Sequence, residues 1–392
     1  MIGVEEAKKL VLEHSTDLNP TVLKLQNAAN HILAEDIFAQ YDIPAFRQSS
    51  MDGYAIKFTR QSNTFNIIGE MAAGTNLPLT ITHGECTRIF TGAPLPDGAD
   101  TVVMQEKIVK NGNQLKIEDE YLQFGANVRA VGAEIQAGKL ALKKGSLLTP
   151  AAIGFLAGIG VTNVNVFPMP KVAIILTGNE LQQPGFELQF GQVYESNSYS
   201  LSAALKKEGI SDLSILWADD DLNTLIEVLE SALEQNDVVL LTGGVSVGDY
   251  DFVAEAAKRC GIEQIFHKVK QKPGKPLFFG IKNAQLIFGL PGNPSSVLNC
   301  YYNYVLPAIN KLSAKCNSAT TVHAKLTHAY EKGKNLTHFL KGNYQNGKAT
   351  PLAAQESFKL NSFAEANCLI RLDEQQEIFA AGDSVEVLLL PI

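Results

Sequence analysis

Beyond residue 170 the chain alternates between unbroken apolar runs and segments whose apolar positions recur every three or four residues. KVAIILTG (171–178), LSILW (213–217), DVVLL (237–241) and LIFGL (286–290) have the continuous apolarity of strands buried on both faces. Between and after them, SNSYSLSAALKKEG, DLNTLIEVLESALEQ, DFVAEAAKRCG and PSSVLNCYYNYVLPAI have helical spacing, the first with Ser196, Asn197 and Ser198 as cap candidates and Gly209 as a stop. This alternation predicts a doubly wound, mostly parallel α/β domain over residues 169–313. Its ligands should bind beyond the carboxyl ends of the strands.

Elsewhere the pattern differs. Val4, Ala7, Leu10 and Val11 form one stripe, and Leu23, Leu25, Ala28, Ala29, Ile32 and Leu33 continue it past Asn19-Pro20, predicting helix over residues 1–40. Residues 41–131 carry short apolar runs broken by Gly and Pro, including a hairpin-like IVKNGNQLKIE with its turn at Asn111-Gly112. Helical pattern returns at Pro150–Ala157, so a helical N-terminal region (1–40 plus 132–168) is expected to carry an inserted β-rich module at 41–131. The short strands of residues 318–392 predict a small C-terminal β-barrel. The fold class is therefore multidomain α/β.

Composition narrows the function classes. The 392 residues include 33 basic and 41 acidic side chains, for a net charge of −8, which argues against nucleic acid or an anionic membrane as partner. Five widely spaced cysteines without a CxxC suit reduced thiols and exclude a disulfide framework or a zinc site. The N-terminus lacks a signal-peptide pattern, and no run of about 18 apolar residues occurs. A cytoplasmic protein is the expectation.

Four predicted strand ends lead into polar or Gly-rich loops: Thr177–Leu181, Asp219–Asp221, Thr242–Asp251 and Pro291–Ser296. One such turn is ordinary punctuation, whereas four at equivalent ends of one sheet point to an anion or nucleotide cleft. The Gly243–Gly248 loop has the outline of a phosphate cradle, but Asp249 stands where a P-loop has Lys, so it is not a P-loop. Carboxylates beside phosphates need an intervening cation, and Glu180, Asp219, Asp220, Asp249 and Asp251 offer the hard oxygens that Mg²⁺ prefers. Asp219–Asp221 has an alternative as a solvated helix N-terminus. Lys268, Lys270, Lys272 and Lys275 fall within eight residues, either a site for an oxyanion or phosphate or a solvated charged strand.

Gly244-Val245-Ser246-Val247-Gly248 also matches the GxSxG nucleophile elbow of serine hydrolases. Few acids lie between it and the final His338, and Asp249 and Asp251 are too close in sequence to come from a later strand. In the β module, Asp52-Gly53 has the form of an ordinary turn, and Thr91 lies in a Gly/Pro-rich segment. Neither suggests function alone.

Together, SSMDGYA (49–55), RIFTGAPLPDGADTVVMQE (88–106), TGNEL (177–181), TGGVSVGDYDFV (242–253), KPGKP (272–276) and GLPGNP (289–294) resemble the molybdopterin molybdenumtransferase family, to which the gephyrin C-terminal domain is related. The resemblance spans essentially the whole chain. It implies insertion of molybdate into the dithiolene of adenylylated molybdopterin, with release of AMP and participation of Mg²⁺. It also implies a homodimer whose cleft joins the α/β domain of one subunit to the β module of the other. A molybdopterin adenylyltransferase would supply the substrate and downstream cofactor-handling proteins would receive the product. Carried over by motif, Asp52, Thr91, Glu180, Asp220 and Asp251 are the catalytic candidates, with Asp220 and Asp251 as metal ligands and Glu180 moving a proton or orienting water. Gly243, Gly244, Ser246, Gly248, Lys268, Lys272, Lys275, Pro291, Pro294 and Ser357 are the candidates for binding the pterin nucleotide and molybdate. Asn179 stands where the family usually has Asp, and Lys341 where Arg is common, which puts bidentate anion recognition there in doubt. A pterin-binding scaffold without catalysis shares the same fold and remains the rival reading.

Overall fold

The computed structural model describes residues 1–74, 79–244, 252–316 and 319–391. The chain divides into two compact units, one of residues 1–23, 30–32 and 165–392, the other of residues 24–29 and 33–164.

The first unit is organised by a six-stranded sheet in the order Leu213–Ala218, Val172–Thr177, Val238–Thr242, Gln285–Leu290, Phe278–Lys282, Glu263–His267. The first four strands are parallel. The last two are antiparallel additions, so the sheet is mixed. LIFGL is the second arm of a hairpin that the sequence pattern does not separate: both arms are apolar, and the turn contains Asn283 in the left-handed region (φ +55°). Strand alternation sends Val172, Ile174 and Leu176 into one core and Ala173 and Ile175 into another. The first core takes Leu201 and Leu205 from helix Asn197–Lys207, and Val4, Ala7 and Val11 from helix Val4–Glu13. The second takes Leu225 and Leu229 from helix Leu222–Gln235, and Val253 and Ala256 from helix Phe252–Arg259. Both faces of the sheet are thus covered, and the ends of the parallel strands are left as the place where loops can meet a ligand.

The C-terminal region is a small closed barrel. Strand Thr337–Gln345 pairs with both Lys348–Pro351 and Cys368–Leu372, and strand Thr320–Leu326 with Lys348–Pro351 and Ser384–Leu389 closes the ring through Cys368–Leu372. Gln271-Lys272 joins this sheet beside Thr337-His338, which ties the lysine-rich segment to the barrel.

The second unit contains a six-stranded sheet in the order Thr101–Met104, Gly53–Ile56, Glu85–Ile89, Thr64–Met71, Gln114–Ile117, Ile108–Asn111. Its hairpin turns at Gly112-Asn113, one residue later than the sequence suggests, with Asn111 paired to Gln114 and Gly112 at φ +60°.

The helical reading of the N-terminal region is corrected. Within residues 1–40 α-helix is confined to Val4–Glu13, with a single 3-10 turn at Leu25–Asn27; Thr21–Lys24, Ile32-Leu33 and Ile37-Phe38 are short strands. β-branched Thr21 and Val22 disfavour helix after Pro20, and Asn30 at φ +64° interrupts the stripe. In residues 132–168 the one helix is Pro150–Gly158, opened by Thr149, whose hydroxyl accepts from the Ala152 amide at 3.2 Å. Among the described residues no helix is long and apolar enough to cross a membrane.

Candidate active site

A cleft of about 1120 Å³ opens at the ends of the parallel strands. Its walls include Thr177–Leu181, Asp220, Thr242–Gly244 and Pro291–Pro294, so residues from all four strand-end loops meet in one place. The backbone builds much of this wall. Gly243 lies at φ +89°, and a Cβ there would stand 2.5 Å from the Thr177 carbonyl oxygen, so no larger residue fits without displacement. The Thr177 hydroxyl donates to the Thr242 carbonyl at 3.3 Å, linking adjacent strand ends. Gly178 leaves room for the Glu180 carboxyl, whose oxygens would be 2.8 and 2.9 Å from a Cβ at that position.

Asp219–Asp221 resolves into separate jobs. Asp221 caps helix Leu222–Gln235, its Oδ1 accepting from the amides of Asn223 and Thr224, both at 3.0 Å, and those bonds hold its carboxyl below the usual carboxylate range. Asp220 instead faces the cleft. Its Oδ2 accepts from the Asn179 amide at 3.2 Å, while its own amide donates to Asn179 Oδ1 at 3.4 Å. The two loops are therefore latched reciprocally, and Asn179 supplies the acceptor that an Asp would supply, without its charge.

Two polar residues to which the sequence pattern gives no place in a site complete this wall. Glu195 is 2% exposed and accepts from the Ser198 amide at 2.7 Å and the Ser198 hydroxyl at 2.6 Å, closing the first turn of helix Asn197–Lys207. An acid three residues before Ser198 was the available signal. Asn197, taken only as a cap candidate, donates from Nδ2 to the Gly292 carbonyl at 2.9 Å and so fixes the Pro291–Pro294 loop against that helix.

The lysines are placed differently. Lys268, Lys272 and Lys275 do not line the cleft, although the neighbouring Pro276 does. Their segment is held from beneath: Gln271 Nε2 donates to the Gly274 carbonyl at 2.8 Å, Tyr304 donates to Gln271 Oε1, and Asn299 Nδ2 donates to the Pro273 carbonyl at 3.0 Å. A Cβ at Gly274 would meet Cys300 Sγ at 2.6 Å, so that glycine permits close packing on the helix. Ser357 lies behind the cleft wall, its hydroxyl accepting from Asn293 Nδ2 at 2.9 Å and its carbonyl from the Ser295 amide at 3.1 Å; Phe358 and Leu360 beside it face the cleft.

In the other unit, Asp52 and Thr91 are brought together. Asp52 Oδ1 accepts from the Thr91 amide at 2.8 Å and from its hydroxyl at 2.9 Å, which holds the exposed carboxyl below its ordinary value. Asp52-Gly53 is not an ordinary turn: Gly53 opens a central strand, and a Cβ there would overlap the Val103 carbonyl oxygen at 1.8 Å. Arg88, also unassigned from sequence, donates to the Gly53 carbonyl at 3.2 Å and to Gln105 Oε1 at 2.6 Å, between the Tyr54 and Phe90 rings. Phe90, two residues further along the chain, is the one sequence signal for it.

Ser246, Gly248, Asp249 and Asp251 lie outside the described residues. Among the described residues no group of three His, Cys, Asp or Glu side chains is poised around one point. The five cysteines carry free thiols. His338, the candidate hydrolase base, is buried in the barrel away from the cleft lining; burial, with Lys272 and Lys332 nearby, pushes its pKa down to about 4.

Three family models match successive parts of the chain: the MoeA N-terminal region (domain I and II) at residues 2–160, the "Probable molybdopterin binding domain" at 173–311, and the MoeA C-terminal region (domain IV) at 323–390. The molybdopterin molybdenumtransferase of Staphylococcus epidermidis RP62A is 34% identical over 99% of this chain and 95% of its own. That of Staphylococcus aureus Mu50 is 32% identical over the same shares. Among solved structures, the molybdopterin biosynthesis MoeA protein of Pyrococcus horikoshii superimposes with TM-scores of 0.81 and 0.78 at 29% and 28% identity, covering at least 99% of each chain. Full-length identity above 30% and the ordered succession of three models place the chain in the molybdopterin molybdenumtransferase family of molybdenum-cofactor biosynthesis.

Proposed function

We propose that the cleft binds adenylylated molybdopterin and molybdate, and that the enzyme inserts the metal into the dithiolene as the phosphoanhydride is cleaved and AMP leaves. The convergence of the four strand-end loops on one cleft, inside the segment matched by the molybdopterin-binding model, carries this reading. The Gly243-Gly244 backbone suits close approach of phosphate oxygens. Glu180 stands at the wall as the group to orient water or take a proton at the anhydride.

Hard carboxylate oxygens at Asp220, latched by Asn179, fit Mg²⁺, with Asp251 as its second proposed ligand. When bound, Mg²⁺ would offset the charge on the pyrophosphate oxygens. Lys268, Lys272 and Lys275 add positive charge to an otherwise acidic protein and serve the approach of molybdate and the pterin phosphate. Asp52 and Thr91 form a ready-made exposed polar pair, and in a homodimer that pair of one subunit completes the cleft of the other. A molybdopterin adenylyltransferase supplies the substrate to this cytoplasmic enzyme, and cofactor-handling proteins receive the product.

The test is AMP release from adenylylated molybdopterin with Mg²⁺, with and without molybdate. Release stimulated by molybdate supports the proposal; tight pterin binding without release leaves a scaffold and overturns it.

A further inference from the structure

Lys341 stands where an anion-binding Arg is expected, yet it is 2% exposed and absent from the cleft wall. Its Nζ donates to three backbone carbonyls of one loop: Ala354 at 2.7 Å, Lys359 at 2.9 Å and Glu356 at 3.3 Å. An ammonium has three N–H donors, and all three are spoken for. The backbone of Lys341 is tied to the same loop. Its amide donates to Gln355 Oε1 at 3.0 Å, and its carbonyl accepts from Gln355 Nε2 at 2.8 Å and the Leu352 amide at 2.9 Å.

The loop so gathered holds Ala354 in the left-handed region at φ +58°, an unfavourable conformation for a residue with a Cβ. That conformation coincides with a carbonyl that accepts from both Lys341 and the Ser362 hydroxyl, the latter at 2.8 Å. The loop in turn delivers Ser357 to Asn293 and Ser295, and Phe358 and Leu360 to the cleft. Asn293 belongs to the same Pro291–Pro294 loop whose Gly292 carbonyl is held by Asn197.

We propose that Lys341 is a positioning residue, an internal strut that folds the 354–360 loop into a wall of the substrate cleft and does not meet the anion itself. The role of the cleft rests on the function proposed above; the strut does not. An ammonium suits this position because it reaches three carbonyls set around a point, whereas a guanidinium spreads its donors in a plane.

The test compares Lys341→Met with Gln355→Ala, each in the full chain. The Gln355 side chain hydrogen-bonds to the Lys341 backbone and the Leu352 carbonyl, so its loss loosens the wall without removing a charge. In substrate-free protein, amide hydrogen exchange over residues 354–360 should accelerate by roughly tenfold or more in both variants, as expected for losing buried hydrogen bonds. In turnover, both should raise the KM for adenylylated molybdopterin together with that for molybdate, and the double variant should fall short of the product of the singles. Unchanged exchange in Lys341→Met, or a KM effect confined to molybdate, overturns the strut and returns Lys341 to anion binding. If Lys341→Met does not fold, Gln355→Ala decides alone: unchanged exchange and unchanged KM values overturn the proposal. If the wild type shows no molybdate-stimulated AMP release, the proposed function fails while the exchange measurement still judges the strut.

Discussion

The α/β cleft and the Asp52–Thr91 pair both hold an aspartate with a main-chain amide, but they differ in what else fixes them. In the cleft, position is set by backbone: Gly243 packs where no Cβ fits, and the Asn179 and Asp220 loops exchange hydrogen bonds through their main-chain amides. In the β unit, a side-chain bond from the Thr91 hydroxyl joins a main-chain bond from the Thr91 amide on one Asp52 oxygen, with Arg88 bracing the strand beneath. A backbone-built site tolerates few substitutions at its glycines, and only the Oδ2 of its Asp220 carboxylate is taken up by the Asn179 amide. A side-chain pair is easier to alter, and its carboxylate is already engaged before any ligand arrives.

The sharpest way to break the comparison is Asp220→Asn. Under the proposed role of Asp220 as a ligand to Mg²⁺, removing its charge should cut AMP release by at least about 100-fold while leaving the fold intact, as one removed electrostatic partner does elsewhere. The measurement is single-turnover AMP release beside a thermal melt. Near-normal release would show that the latch, and not the charge, is what Asp220 contributes. Next in size is Gly243→Ala, which combines positive φ with a Cβ 2.5 Å from the Thr177 carbonyl. On the order of 3 kcal/mol of stability should be lost, read as a fall in the urea midpoint. A stable variant would contradict the close approach of these two strand ends.

These differences also explain what the sequence makes legible. Strand-end loops announce themselves because Gly, Asn and Pro follow apolar runs, so Thr177, Asp220, Gly243 and Pro291 mark the cleft in the sequence itself. Long side chains that reach carbonyls leave no such mark: Lys341 looks like an anion binder, and only its three acceptors, 13, 15 and 18 residues away in sequence, show otherwise. Leu23–Leu33 reads as helix because a three- and four-residue apolar spacing also arises where short strands and turns succeed one another. The hairpin Phe278–Leu290 was hidden for the converse reason, since both arms are buried and neither alternates.

Thr91→Val sharpens the β-unit side of the comparison. The variant keeps the amide bond to Asp52 and loses the hydroxyl bond, so the Asp52 carboxyl should titrate higher than in the wild type while staying below the ordinary value of 3.8. The sign follows from linkage. A carboxyl depressed in the folded state contributes stability that is present above its unfolded value and disappears as pH falls through its folded one. The variant should therefore be less stable than the wild type at neutral pH, and the difference should vanish as pH falls through the folded Asp52 value. A carboxyl-resolved NMR titration checks the shift directly, and an unchanged Asp52 would mean that the amide bond alone sets it.

The smallest effect belongs to Asn179→Asp, which installs the residue that the family resemblance implies at this position. Both hydrogen bonds of the latch can persist, because the Asp220 amide finds a carboxylate oxygen where it now finds an amide oxygen, and the Asn179 backbone is untouched. What changes is charge. A second carboxylate beside Asp220 makes the pair harder to ionise without a cation and binds one more strongly when it is present. AMP release should therefore change only a few-fold at saturating Mg²⁺, while the Mg²⁺ concentration for half-maximal release moves down. Titrating release against Mg²⁺ in both forms separates the two effects. A large loss of maximal release, with the Mg²⁺ requirement unmoved, would mean that the latch depends on the amide side chain and that the cleft is less purely a backbone construction than its glycines suggest.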